Sequence, residues 1–383
     1  MDFELPEELR LLQKTVRDFV DRELIPIEMQ AMDGPVMRPD IRAALEQKAK
    51  DRGLWLLEVP EEYGGQGLSM LGMVVVWQEI ARTIAMPPRG PAVFGPEIRG
   101  ILFMLDDAQK EKYLFPVLRG EKKTAFAQSE PDAGADPGAM RTTAVRQGDH
   151  YVINGYKRWI TAAKTADFLQ LVAATDRAKG SRGGLSMFLV DMDTPGIKVV
   201  RETKTMMGDL TYEIAFDDAK VPVENLIGSE GDGMSKAQTW ITAGRLYQAC
   251  RGLGVAQRCI SLMGKYAKER VTFGAPLADR QAVQFMLADS VTEHTMTQLL
   301  VYRTAAMTDA GTTARHDSYM TKIAGTELGF RVADRCMQIH GAMGLALEMP
   351  ISKMWRDARS FIITEGPVEV MRMVLARELL REF

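Results

Sequence analysis

The period of the apolar residues changes twice along this chain, and no single regular architecture absorbs both changes. From Leu5 to about Arg119 they recur at helical spacing, as in Leu9, Leu12, Val16, Phe19 and Val20. Between about Lys122 and Gly228 the pattern is that of strands: TYEIAF (211–216) alternates, and DFLQLVAAT (167–175) and GLSMFLVDMD (184–193) are β-rich apolar runs. YVINGYK (151–157) sets Asn-Gly between strand-like residues, a hairpin signal. From Ser235 long helical patterns return, as in 281–307 and 321–339. At 383 residues the chain exceeds the usual span of one core, so two or three packed parts are expected. The fold class read from this order is mainly α with a central β domain. An N-terminal helical domain covers 1–121, a mostly antiparallel β barrel or sandwich 122–229, and a C-terminal region able to form a four-helix bundle 230–383. EEYGGQGLS (61–69) and PPRGPAVFGP (87–96) have loop compositions.

Several function classes are disfavoured by composition. A net charge of −3, with no basic stretch interleaved with aromatics, offers nothing to nucleic acid. The longest apolar run, LGMVVVW (71–77), is far short of the roughly 20 residues a bilayer span needs. The acidic, amphipathic N-terminus lacks the basic start and apolar block of a secretory signal. Cys250, Cys259 and Cys336 stand at unrelated spacings, as in a reducing compartment, and four histidines show no metal-ligand pattern. A cytoplasmic, bacterial enzyme without a protein-bound metal is expected. No GxGxxG opens a helix after a strand, and GLGVAQ (252–257) lies inside a helical pattern.

Five segments could carry chemistry, each with an ordinary alternative. FAQSEPDAGAD (126–136) offers backbone N–H groups and small hydroxyls suited to polar ring atoms or phosphate, but is equally a β-domain turn. RWITAA (158–163) puts Trp159 and Thr161 on one face of a strand, where a Trp beside a hydroxyl can cover a planar ring, or simply fill the core. In RVTFGAPL (270–277), Arg270 and Thr272 precede a break, with Gln281 opening a helix. That suits an anion, or a surface connector. QIHGAMGL (338–345) closes a helix with two glycines, for close backbone approach or as a C-cap. Glu365 follows a β-branched apolar run and precedes Gly-Pro. A carboxylate in apolar surroundings suits proton abstraction, while an acid there also suits a helix N-terminus.

These segments, in this order, resemble the acyl-CoA dehydrogenases over essentially the full chain. PEEYGGQGLS (60–69) resembles the family's N-terminal loop and QKEKYLFPVLRGE (109–121) its helix into the β domain. FAQSEPDAGAD and RWIT resemble the two flavin segments, and RVTFGAPL, QIHGAMG and TEGPVEV the C-terminal signatures. The resemblance implies FAD as cofactor. Phe126, Gln128, Ser129, Trp159 and Thr161 would hold its isoalloxazine and ribityl end. Arg270, Thr272, Phe273, Gln281, Gln338, Gly341 and Ala342 would hold its pyrophosphate and adenosine end. In the family these last residues come from a neighbouring subunit, so a homo-oligomer, typically a dimer of dimers, is implied. Glu365 corresponds to the catalytic base that takes the substrate α-proton, with its backbone N–H helping to polarise the thioester carbonyl. Some relatives carry the base on the helix that here contains AGRLYQ (243–248), where this chain has Gly244. Arg245 matches a residue near the thioester, and Gly366 adjoins the base. An acyl-CoA substrate and an electron-transferring flavoprotein as acceptor are implied, in fatty-acid or acyl-CoA catabolism.

The chain departs from the family pattern at known positions. Asp132 and Ala135 stand for the commoner Gly and Ser, so Ala135 lacks a hydroxyl toward the CoA arm; Pro367 and Glu369 stand for the commoner Thr and Gln at two cofactor contacts. Alternatives on the same fold are an acyl-CoA oxidase, an enoyl-CoA reductase and a non-catalytic relative.

Overall fold

The computed structural model describes residues 4–34, 36–85, 93–96, 98, 100–312 and 314–381, so most of the loop expected at 87–96 lies outside the described residues. They form two compact units: one from residues within 1–89, 93–95 and 242–383, the other from residues within 90–92 and 96–241.

The first unit is helical. Its chain-initial helices are α1 (Glu7–Phe19), α2 (Pro39–Asp51) and α3 (Met70–Ile80). It continues with α4 (Gly233–Glu269, from residue 242 on), α5 (Gln281–Asp309), α6 (Arg315–His340), α7 (Pro350–Phe361) and α8 (Val368–Leu379). Ser69 ends the 61–69 loop and caps α3, its side chain accepting from the Gly72 N–H at 3.2 Å. α3 is apolar on nearly every side because it is enclosed: Val74 shares one core with Leu246, Leu253, Val301, Leu328, Val332, Met354 and Phe361. Within the same helix Glu79 is fully buried and held by Arg17 through two bonds of 2.6 and 3.0 Å.

Glycines set the spacing of the central helices. A Cβ on Gly252 of α4 would fall 1.9 Å from the Gly325 carbonyl oxygen of α6, and one on Gly329 would meet Gly252 at 2.6 Å. α4 and α6 therefore cross backbone to backbone, as only small residues allow. On the other side of α4 a Cβ on Gly254 would come within 2.4 Å of the Gln78 carbonyl of α3. The GLG of 252–254 is thus a two-sided helix contact.

The second unit is built on a seven-stranded sheet: β1 (Thr124–Ala127), β2 (Thr143–Gln147), β3 (His150–Thr161), β4 (Phe168–Ala174), β5 (Leu185–Asp191), β6 (Ile197–Lys204) and β7 (Leu210–Pro222). The order is β1–β4–β2–β3–β7–β6, with β5 also on β4. β1 and β2 run parallel to β4, and the other pairs are antiparallel. The core includes Tyr151, Ile153, Ile160, Leu171, Phe188, Ile214 and Phe216.

The Asn-Gly hairpin expected at 154–155 does not form. The β2–β3 turn falls at Gly148, and Asn154-Gly155 lies inside β3. There the register against β7 shifts, a bulge. Gly155 has φ +149°, and a Cβ on it would sit 2.5 Å from Thr142 Cα. The Asn154 side chain is used across strands, donating to Asp218 and accepting from the Asp218 N–H, both at 2.9 Å. Turn chemistry here serves a bulge.

Candidate active site

In the first unit the glycine crossing brings α4, α6 and the loop between α7 and α8 together around Glu365. Gly244 of α4 lies against that side chain: a Cβ added to Gly244 would stand 3.3 Å from Glu365 Oε2. The guanidinium of Arg245, the next residue, sits 4.7 Å over the ring of Tyr319 on α6. One turn further along α6, Lys322 is fully buried and donates to the carbonyls of Thr364 and Gly366. Burial pushes the Lys322 ammonium down to about 7, opposed by the charge of Glu365 and reinforced by that of Arg245. Burial likewise lowers the Arg245 guanidinium, with Tyr319 and Glu365 opposing. The apolar surroundings expected for Glu365 are therefore corrected: its charged neighbours are two buried cations. Of the apolar run before it, Phe361 ends α7, and Ile362 and Ile363 follow the helix.

The helix-terminal reading of Glu365 also fails. α8 begins at Val368 with Pro367 at its N-cap, so Glu365 lies outside the helix. Glu369, in the first turn and exposed, is the acid at that terminus. Gly366, exposed, has φ +89° and completes the turn. Three buried polar atoms close in sequence to these groups, Arg245 Nε, Gln248 Oε1 and Thr364 Oγ1, make no hydrogen bond among the described residues.

In the second unit, Phe126 lies in strand β1 opposite Gln170, and after Ala127 ends the strand Gln128, Ser129 and Glu130 follow as a loop folded around a buried charge. The Glu130 carboxylate accepts from the backbone N–H groups of Arg141 (2.6 Å) and Thr142 (3.0 Å) and from Lys157 Nζ (2.8 Å). Lys157, fully buried on β3, also donates to the Gln128 carbonyl at 3.0 Å, while the Arg158 N–H donates to that of Ser129 at 2.8 Å. The 126–130 segment is thereby tied to the 157–161 segment. Burial lowers the Lys157 ammonium to about 8 against the pull of Glu130. Ala135 is exposed in this loop, and its neighbour Asp132 pairs with Arg141 at 3.0 Å.

Trp159 and Thr161 do not share one face of a regular strand as expected, because β3 bulges again between Lys157 and Ile160. Trp159 takes φ +63° at the bulge and is half exposed, with Arg158 stacked 4.7 Å from its ring. Thr161 follows, and its buried hydroxyl makes no hydrogen bond among the described residues; neither does Gln128 Oε1. An unpaired buried polar atom costs about 1–3 kcal/mol. These two atoms thus fit a polar heterocycle that would bond to both.

The third group lies at one end of α4 and α6. Arg270 follows α4, and Thr272, Phe273 and Gly274 form a small hairpin whose tip carries Phe273 wholly exposed. Arg280 Nη2 closes it on the Thr272 carbonyl at 2.6 Å, and Gln281 opens α5. Gln338, Gly341 and Ala342 lie at the end of α6. Tyr266, four residues before Arg270, stacks on His340 with ring centroids 4.3 Å apart, which ties the two groups to one end. Arg270, Phe273, Gln281, Gln338, Gly341 and Ala342 are all exposed in the single chain.

Six non-glycine residues among those described have positive φ: Leu56, Trp159, Ala162, Asp218, Phe273 and Glu365. Three of them are site candidates. Each left-handed residue costs about 1–2 kcal/mol, and such strain persists where surrounding structure enforces it. Sequence reasoning missed the two lysines that do part of the enforcing. Lys322 stands in a helical stripe with Ser318, Gly325, Gly329, Val332 and Cys336, all buried on α6, and that spacing could have flagged it. Lys157 had no comparable signal beyond a strand position beside Tyr156.

Three domain models match the chain: "Acyl-CoA dehydrogenase, N-terminal domain" over residues 6–121, "middle domain" over 125–219 and "C-terminal domain" over 231–380. The mitochondrial short-chain specific acyl-CoA dehydrogenase of Mus musculus is 37% identical over 387 residues, covering 99% of this chain and 92% of that protein. Subunit CarC of the caffeyl-CoA reductase-Etf complex of Acetobacterium woodii is 36% identical, covering 98% of this chain and 99% of that one. The structure of butyryl-CoA dehydrogenase from Megasphaera elsdenii superposes with a TM-score of 0.86 at 30% identity, over 99% of this chain and all of that one.

Proposed function

The chain belongs to the acyl-CoA dehydrogenase family, a family of FAD-dependent oxidoreductases, and from that membership we propose that it removes two hydrogens from the α and β carbons of an acyl-CoA thioester, with Glu365 as the base. The observation that carries this reading is the seating of Glu365: a carboxylate outside any helix, in contact with Gly244, with Arg245 and Lys322 as charged neighbours. Gly244 leaves α4 without a competing carboxylate at that position. FAD, when bound, supplies the hydride acceptor at N5.

Each group of residues then has a task. Glu365 accepts the α-proton, and the fixed turn around it keeps the carboxylate from wandering. Arg245 supplies positive charge beside the base and the thioester. Gln128 and Thr161 would bond to edge atoms of the isoalloxazine, Trp159 would cover it, and Phe126 and Ser129 would complete that end. Arg270, Thr272, Phe273, Gln281, Gln338, Gly341 and Ala342 would hold the pyrophosphate and adenosine, with Pro367 and Glu369 as altered cofactor contacts. Gly366 and Ala135 would lie along the substrate. The division 1–121, 122–229 and 230–383 belongs to the same proposal.

A homo-oligomer, a dimer of dimers, is part of this reading: a wholly exposed Phe273 held in left-handed conformation is the kind of apolar group a second subunit covers. Sedimentation would show the assembled mass. An electron-transferring flavoprotein is proposed as acceptor, in the cytoplasm; among the described residues no helix is long and apolar enough to cross a membrane. The Acetobacterium woodii relative favours a second reading, net reduction of an enoyl-CoA by the same residues.

The test is Glu365→Gln in purified holoprotein, which keeps FAD and binds acyl-CoA but loses about 10²-fold or more in anaerobic flavin reduction. Near-normal bleaching by substrate would sink the assignment. Stopped-flow spectra with and without oxygen, across a panel of saturated and unsaturated thioesters, separate dehydrogenase, oxidase and reductase.

A further inference from the structure

Lys322 has no part in binding or proton transfer as set out above, yet it is one of the largest fully buried side chains. Its two carbonyl partners, Thr364 and Gly366, flank Glu365 on either side. The rest of the turn shows why that matters. The N–H groups of Ile363 and Thr364 donate to the Ser360 carbonyl at 3.0 Å, and that of Val368 donates to Ile362 at 3.2 Å. Those bonds fix the chain up to Thr364 and again from Val368. The stretch between them contains Glu365 at φ +58° and Gly366 at φ +89°, a path that L-residues rarely hold unaided.

We propose that Lys322 is a positioning residue for Glu365, clasping the peptide groups on both sides of it so that its carboxylate is presented against Gly244 in one fixed orientation. This rests on the reading of Glu365 as the base. Lys322 is itself placed by the glycine crossing: Gly325, one turn along α6, touches Ala249 of α4 with its backbone, so the clasp and Gly244 belong to one rigid helix pair. A neutral apolar side chain would fill the same space without the cost of burying an ammonium, which burial brings down to about 7. Glu365, Arg245 and Glu369 are the charged groups that act on it, from the turn, from α4 and from α8. Tyr319 and Lys322, three apart on α6, thus hold Arg245 and Glu365 from a single helix face.

The experiment is a cycle in the flavin-loaded, assembled protein: Lys322→Met, Glu365→Gln and the double variant, each assayed by anaerobic flavin reduction with an acyl-CoA and by acyl-CoA binding. Lys322→Met is expected to keep the FAD spectrum and bind thioester within about 3-fold of the parent, while flavin reduction slows by about 30-fold or more. In the Glu365→Gln background the same substitution is expected to change the residual rate by less than about 3-fold, since no base remains to be positioned. A crystal structure of Lys322→Met should show Glu365 away from its left-handed φ. An unchanged reduction rate in Lys322→Met, or an equal loss in both backgrounds, overturns the proposal and leaves a structural lysine. Near-normal reduction in Glu365→Gln alone identifies the base assignment as the error instead. If Lys322→Met is recovered without flavin, Lys322→Gln, which retains a neutral donor, is carried through the same cycle and judged by the same outcomes.

Discussion

Gly244 and Glu365 are complementary in shape: a Cβ on the glycine would lie 3.3 Å from Oε2, 3.4 Å from Cδ and 3.5 Å from Cγ of the glutamate. The 3.3 Å contact with Oε2 requires the carboxylate to yield by a few tenths of an ångström, the other two being ordinary van der Waals distances. Gly244→Ala should therefore separate stability from rate. The α4 helix gains up to about 1 kcal/mol from the alanine, while flavin reduction by acyl-CoA falls about 10-fold as the carboxylate is displaced. Melting temperature and single-turnover rate check the two halves, and an unaltered rate would show that the contact is loose.

Gln128 Oε1 and Thr161 Oγ1 are buried with no hydrogen bond among the described residues. Gln128→Leu and Thr161→Val should each leave the flavin-free protein as stable as before, or more stable by up to about 1 kcal/mol. FAD affinity should drop about 10-fold for each. Flavin titration of the stripped protein measures the second effect. Affinity unchanged in both variants would remove these residues from the cofactor site.

Acid should loosen the loop around Glu130. Burial alone would raise this carboxyl, but Lys157 and the N–H donors of Thr142 and Arg141 hold it below its ordinary value of 4.5. A carboxyl with a depressed folded pKa contributes stability that is present above the unfolded value and is lost as pH falls through the folded one. Between pH 6 and pH 3 the parent should lose stability more steeply than Glu130→Gln, as followed by urea unfolding at each pH. Equal slopes would contradict the ion pair as drawn.

Gly252→Ala and Gly325→Ala address the helix crossing. With a Cβ 1.9 Å from a carbonyl oxygen in the first case and 2.6 Å from a backbone Cα in the second, α4 and α6 must move apart. A loss of about 3 kcal/mol or more is expected for each, with slower flavin reduction as Lys322 and Gly244 lose their registration. Denaturant midpoints settle the stability part.

Much of this was legible in the sequence, because period survives without coordinates. The helical stretches, the β4 and β5 strands and the long α5 and α6 fall where hydrophobic spacing put them. Asn154-Gly155 was misread because the backbone freedom that favours a turn also favours a bulge, and only the cross-strand partners Thr142 and Asp218 decide between them. Gly252, Gly325 and Gly329 gave no signal, since a glycine inside a helix announces neither what it touches nor whether it touches anything. Lys157 and Lys322 were passed over for a related reason. A lysine is ordinarily a solvated residue, and its burial here follows from which carbonyls the fold turns inward.

Both lysines grip main-chain oxygens: Lys157 that of Gln128, Lys322 those of Thr364 and Gly366. Lys157 also holds the Glu130 carboxylate, but the grip of Lys322 is indifferent to the side chains of the residues it holds. Residue 364 can therefore be exchanged while the path of the chain on either side of Glu365 stays put.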